Sequence, residues 1–182
     1  MTSPHPIGFD EFCAAIRAAS QAYGEKEFVV VGRGSLSASM PQGSPLLRST
    51  EDIDLYPPPD SSKTALWAAK DVDLGVHSSF FAEHGFYVQR VGDWTLLTQP
   101  SGWRDRALRF AIDDITAIVL HPLDLAYNKL EAGRDKDLDF MSEGLASGAY
   151  QLGEVEAFIL KHAPDDATCE LILKNLGAVA TL

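Results

Sequence analysis

The chain has 182 residues, 46% of them hydrophobic and 23% charged, a balance that suits one domain with a real core and leaves too little length for two ordinary ones. Its formal net charge of -11 disfavours a broad electrostatic footprint for nucleic acid, while leaving room for a local basic cleft. No apolar run reaches the roughly 18 residues a membrane-spanning helix needs, the start MTSPHPIGFDEF has neither a basic nor an apolar leader region, and Cys13 and Cys169 stand far apart without metal-ligand spacing, so a reducing cytoplasm is the expected setting.

In chain order, Phe12, Ile16, Ala19 and Tyr23 recur at helical spacing, with Asp10 expected as the N-cap and Gly24 as the stop. Phe28 to Val31 is a short, fully apolar run, as expected of a strand covered on both faces. It ends on Gly32, Arg33, Gly34 and Ser35, a turn whose glycines let backbone N–H groups approach an anion closely. After sixteen residues that include Pro41, Gly43 and Pro45, the run Asp52-Ile53-Asp54-Leu55 places two acids on one face of a second strand and two apolar side chains on the other. Pro57, Pro58 and Pro59 must end that strand, since proline cannot donate to a ladder. A polar stretch with Ser61 and Ser62 follows, then a helix over Lys63 to Lys70 and another over Ser79 to Glu83, stopped by Gly85.

Strands are expected at Tyr87 to Val91, Trp94 to Thr98, Ala107 to Ile112 and Ile115 to Leu120, with turns at Gly92-Asp93 and Asp113-Asp114. His121-Pro122 then opens a helix whose buried stripe is Leu123, Ala126, Tyr127 and Leu130, with Lys129 off that stripe near the exposed edge and Gly133 as the stop. Asp137 could cap the next helix, marked by Leu138, Met141 and Leu145, and further helical patterns carry Val155, Phe158, Ile159, Leu171 and Leu176. The fold class expected is α/β (α+β): a mixed sheet flanked by helices, one domain over 1–182, with the sheet in 1–122 and a small helical part in 123–182.

Two carboxylates on one face repel each other unless a cation compensates, and hard cations such as Mg²⁺ are commonly held by one or two carboxylates plus substrate phosphates. The competing expectation is that the acids merely keep a sheet edge soluble. Two basic groups accompany them: Arg104, Arg106 and Arg109 around Trp103, and Lys129, Arg134 and Lys136. The histidines form no ligand pattern, and GRGSL lacks the closing lysine of a P-loop.

A strand, a Gly-Ser turn and then Asp-x-Asp on the next strand resembles the nucleotidyltransferase superfamily of DNA polymerase β type. The segment DLAYNKLEAGRDKDLDF (124–140) narrows the resemblance to minimal bacterial nucleotidyltransferases related to the AbiEii-type toxins of toxin–antitoxin and abortive-infection systems. The resemblance implies that Gly34 and Ser35 bind a phosphate, that Asp52 and Asp54 are catalytic and bind Mg²⁺ (or Mn²⁺), that Lys129 and Arg134 meet the triphosphate, and that Asp137 is the later acid of the active centre. It implies transfer of a nucleoside monophosphate from a nucleoside triphosphate to a tRNA or a protein, with a cognate toxin or antitoxin as partner and no membrane association. The loop between Ser35 and Asp52 is longer than the family's usual one. Many superfamily members carry a third carboxylate on a later strand, for which Asp105 and Asp113 are the nearest candidates here. The alternatives are a degenerate nucleotidyltransferase fold acting as antitoxin, nucleotide sensor or partner-binding module, and a metal-binding structural domain.

Overall fold

A five-stranded mixed sheet with helices packed on it and a separate helical mass beside it make up the computed structural model, which describes residues 4–57, 63–92 and 94–181. The expectations for Pro58, Pro59, Ser61, Ser62 and Asp93 fall outside those residues. Helix α1 (Phe9–Tyr23) follows a two-residue strand β1 (His5–Pro6) and ends on Gly24 in the left-handed conformation. Its N-cap is Gly8, whose N–H donates to Glu11, so Asp10 is not the cap. It lies in the first turn, where a carboxylate still favours the positive end of the helix dipole.

Strand β2 (Glu27–Val31) is the centre of the sheet. A turn of 3₁₀ helix (Arg33–Ser35) and the short segments α2 (Leu36–Ser39), α3 (Pro45–Arg48) and β3 (Ser49–Thr50) carry the chain to β4 (Asp52–Tyr56), which returns antiparallel to β2. Thus the long loop containing Pro41, Gly43 and Pro45 is ordered: Pro45 opens α3, and β3 pairs with β1. Helices α4 (Thr64–Leu74) and α5 (Ser79–His84) lead to β5 (Tyr87–Arg90), parallel to β4. After α6 (Trp94–Leu97) and α7 (Trp103–Arg106), the hairpin β6 (Leu108–Ile112) and β7 (Ile115–Val119) completes the order β5-β4-β2-β7-β6, with β7 parallel to β2.

The run at Trp94 is therefore helix, not strand. A stretch of four residues carries too few repeats for its period to decide between the two.

The uniformly apolar β2 follows from its two neighbours. Phe28 and Val30 pack with α1 and with Ile53 and Leu55 in one core, while Val29 and Val31 pack with Trp103, Ile118 and Leu120 on the opposite face. A further core is formed by α8 (Pro122–Ala132), α9 (Asp135–Ala146), α10 (Leu152–His162) and α11 (Asp166–Ala180), joined by Leu36 and Leu47. No helix of the described residues is long and apolar enough to cross a membrane.

In the helical part, a Cβ at Gly144 would run into the ring of buried Tyr150, whereas one at exposed Gly177 on α11 meets nothing within 4 Å among the described residues. We expect Gly144→Ala to destabilise by about 1–3 kcal/mol through overpacking. Gly177→Ala should stabilise by about 0.5–1 kcal/mol through helix propensity. Urea denaturation of the two variants checks both signs.

Candidate active site

Three backbone features bring the acids to a cleft. Gly32 closes β2 at φ 64° and ψ -165°, a conformation essentially confined to glycine. A Cβ there would lie 2.6 Å from Asp54 Oδ2. Two residues on, a Cβ at Gly34 would lie 3.1–3.3 Å from Ile53 and from the Asp52 carbonyl, so the turn presses against β4 itself. Alternation along β4 buries Ile53 and Leu55 and leaves Asp52 and Asp54 half-buried on the cleft side, as the sequence pattern requires.

Asp52 is held by two donors: Thr50 Oγ1 at 2.8 Å to Oδ1 and the Tyr87 hydroxyl at 3.4 Å to Oδ2. Asp54 accepts no hydrogen bond from the described residues; burial, with Asp52 beside it, pushes its carboxyl up to about 7 against the opposing pull of Lys129 and Lys136. Strand β5 runs level with β4, setting Tyr87 opposite Asp52 and Gln89 opposite Asp54. The neighbour of Asp54 on that strand is thus a neutral amide. Asp105 and Asp113 do not line the cleft: the first is exposed on α7, and the second sits at φ 56° in the β6–β7 turn, paired to Arg17.

The opposite wall comes from α8 and α9. Asp137, fully buried, accepts from Lys129 Nζ at 2.8 Å and from Arg134 Nε. Burial alone would raise the Asp137 carboxyl, but the hydrogen bonds from Arg134 and Lys129 outweigh it and hold it below the usual carboxylate range. Lys129 is largely buried, with its ammonium over the Phe140 ring, and burial lowers its proton affinity. The expectation of a solvent-edge lysine is corrected by this geometry, because α9 folds over the side of α8 that a single-helix pattern leaves open. Asp137 is also not a cap: Arg134 is the N-cap of α9, and Asp137 lies in its first turn. Arg33 donates to the Ser49 carbonyl at 2.8 Å and stacks on Phe140 from the sheet side.

Between these walls lies an open cleft of about 920 Å³, lined among others by Gly32, Arg33, Asp52, Asp54, Lys129, Arg134, Lys136 and Asp137. Gly34 and Ser35 are not part of its lining. Ser35 is fully buried, and its hydroxyl donates to the Gly32 carbonyl at 2.7 Å, so these two residues shape the turn behind the wall. The other basic group is dispersed: Arg106 pairs with buried Asp124, Arg109 with Glu27, and Arg104 lies over Trp103. Tyr87 and Gln89 had no signal in a local motif, since only the register of two strands remote in sequence places them beside the acids.

The donor set suits a hard dication. Two adjacent carboxylate groups face the cleft, one without a hydrogen-bond donor, and no cluster of three or more His, Cys, Asp or Glu is found among the described residues. Magnesium is commonly held in this way, by one or two carboxylates with waters and substrate phosphates filling the remaining positions.

Removing the Asp137 charge would leave the buried Lys129 ammonium without its counter-ion. We expect Asp137→Asn to cost about 3 kcal/mol, since breaking a buried pair strands its partner, with the solvated Arg134 adding little. Chemical denaturation measures the loss, and a change below about 1 kcal/mol would remove the anchoring role given to Asp137.

Neither a search of curated proteins nor one of solved structures finds a match to this chain. The sequence model of one family, described as "Nucleotidyltransferase of unknown function (DUF6036)", matches residues 9–171. That span covers the sheet, both walls of the cleft and most of the helical mass, and the chain belongs to this nucleotidyltransferase family.

Proposed function

We propose that the protein is a Mg²⁺-dependent nucleotidyltransferase (Mn²⁺ being the alternative metal) that moves a nucleoside monophosphate from a nucleoside triphosphate to a hydroxyl of an RNA, such as a tRNA end, or of a protein. The observation that carries this reading is the convergence on one cleft of Asp52 and Asp54 from β4 with Lys129, Arg134 and Lys136 from the facing helices. Asp52 and Asp54 would hold the cation, which when bound polarises the α-phosphoryl group and offsets charge on the leaving pyrophosphate.

The chain's own residues do the rest. Lys129, with Arg134 and Lys136, neutralises the triphosphate from the side opposite the acids. Buried Asp137 fixes the Lys129 ammonium, so little reorganisation is needed when charge develops. The acceptor hydroxyl oxygen bonds to the α-phosphorus, the bond from that phosphorus to the bridging oxygen breaks, and pyrophosphate leaves. The hydroxyl proton passes to one of the two cleft carboxylates. The walls hold hydroxyl and phosphorus in line, which converts an encounter into a unimolecular step. A toxin–antitoxin setting, with a cognate protein as acceptor or partner, belongs to the same proposal.

A second reading rests on Gln89. With an amide opposite Asp54 and neither Asp105 nor Asp113 at the cleft, the fold could bind a nucleotide without transferring it, as a sensor or antitoxin would. Incubation with labelled nucleoside triphosphates and Mg²⁺, with bulk tRNA and with the protein itself as acceptors, separates the two: transfer supports the enzyme, binding alone the sensor.

On the first reading, Asp52→Ala and Asp54→Ala each abolish Mg²⁺-dependent transfer while circular dichroism stays that of the parent; activity retained in both would remove the metal assignment. For Lys129, reversal to glutamate would set a second carboxylate against buried Asp137 and test folding instead of binding. The informative variant is Lys129→Gln, expected to weaken triphosphate binding more than tenfold, the cost of about one charge-assisted hydrogen bond. Lys161→Gln on α10 should bind as the parent does, and equal effects at the two positions would show that Lys129 meets no phosphate.

A further inference from the structure

The cleft has two chemically different halves. One carries the charges described above. The other, formed by the Thr95–Gln99 segment and the first two turns of α8, has no charge on Val91, Thr95, Thr98, Gln99, Leu125 or Asn128. Helix α8 runs through both halves: Leu125, Asn128, Lys129 and Ala132 all line the cleft, a stretch of about 10 Å at 1.5 Å per residue. One helix thus offers the cleft an apolar side chain at Leu125 and, at the consecutive residues Asn128 and Lys129, an amide and a cation about 100° apart around its axis.

The amides in the neutral half form a relay whose direction is set by the backbone. The Thr95 carbonyl can only accept, so Gln99 presents its Nε2 to it at 2.9 Å. That turns Gln99 Oε1 toward Asn128, which donates from Nδ2 at 2.6 Å. Asn128 is thereby obliged to keep Oδ1 for another donor, and among the described residues this buried atom has no hydrogen-bond partner, nor has the nearby segment's Thr95 Oγ1. Each unmade bond at a buried polar atom costs about 1–3 kcal/mol, and in native proteins such atoms call for an explanation. A solvated surface would leave neither atom buried. An apolar purpose would not select an asparagine oriented by a glutamine.

We propose that this neutral half is the nucleobase subsite: the ring lies against Leu125 and Val91, one of the base's N–H groups donates to Asn128 Oδ1, and the adjacent acceptor on the same edge accepts a hydrogen bond from the Thr95 hydroxyl. Every nucleobase carries a donor beside an acceptor on its pairing edge. Both atoms lie beneath the cleft surface on residues that line it, so the base reaches them through a local opening that keeps the Gln99–Asn128 hydrogen bond in place. The inference rests on the triphosphate reading of the charged half, and it adds what that half lacks, a means of telling a nucleotide from a bare polyphosphate.

The test uses the full-length protein with Mg²⁺ and two ligands, ATP and inorganic tripolyphosphate, with binding measured by calorimetry; CTP, GTP and UTP follow as further nucleotides. The wild type should bind its preferred nucleotide at least tenfold more tightly than tripolyphosphate. Asn128→Leu should erase about tenfold of that difference and leave tripolyphosphate binding unchanged. Thr95→Val, which keeps shape and removes one hydroxyl, should reduce the nucleotide increment alone, and it carries the test if Asn128→Leu does not fold by circular dichroism. Wild-type protein that binds tripolyphosphate as tightly as every nucleotide, or a folded Asn128→Leu with the parent's preference, overturns the base subsite while the charged half stands. Failure of all five ligands to bind overturns both readings together.

Discussion

The close approach of a side-chain-free turn to an acid-bearing strand is the constraint on which the rest of the site depends. At Gly32 there is no room for a Cβ beside Asp54, and at Gly34 none without displacing the backbone of β4. Because β2 and β4 are adjacent in the sheet and covered by a core on one face, neither can retreat from the other. The turn therefore determines where two half-buried carboxylates point. Their mutual repulsion, and the lack of a donor to Asp54 among the described residues, are tolerated because the strands that carry them are fixed by apolar packing.

The cationic wall depends on a different economy of forces. Asp137 is charged and fully buried, which is costly unless hydrogen bonds satisfy it, and Lys129 and Arg134 do so. Phe140 adds a ring face beneath Lys129 and Arg33, so the helical mass and the turn after β2 meet over one aromatic surface. Pre-positioned charge of this kind suits a polyanion, and the net acidity of the whole chain keeps it local.

How much of this could be read in advance varies with the range of the interaction. The alternation of Asp52, Ile53, Asp54 and Leu55 is a property of any strand, and it told which way the acids face. The helix around Lys129 was equally legible from Leu123, Ala126, Tyr127 and Leu130. The burial of Lys129 was not, because Asp137 and Phe140 reach it from the following helix, and the pattern of one helix does not contain its neighbour. Ser35 shows the same limit on a smaller scale: a serine in a turn can face a ligand or its own backbone, and here it closes on Gly32. The run at Trp94 misled because tryptophan and threonine are common in strands and four residues are too few for their period to overrule that preference. Tyr87 and Gln89 depend on strand register across two intervening helices, which no local spacing encodes.

The two faces of the cleft belong to separate packing masses. Ile53 and Leu55, behind the acids, sit in the core beneath α1, while Leu125, Leu130 and Phe140, behind the lysine, sit in the core of the helical part, and the two clusters have no side chain in common. A molecule gripping both faces therefore staples them. Its free energy of association would add to the contacts that Arg33 with Phe140 and Ser44 with Glu143 already make between the two masses, so occupancy tightens the coupling between them.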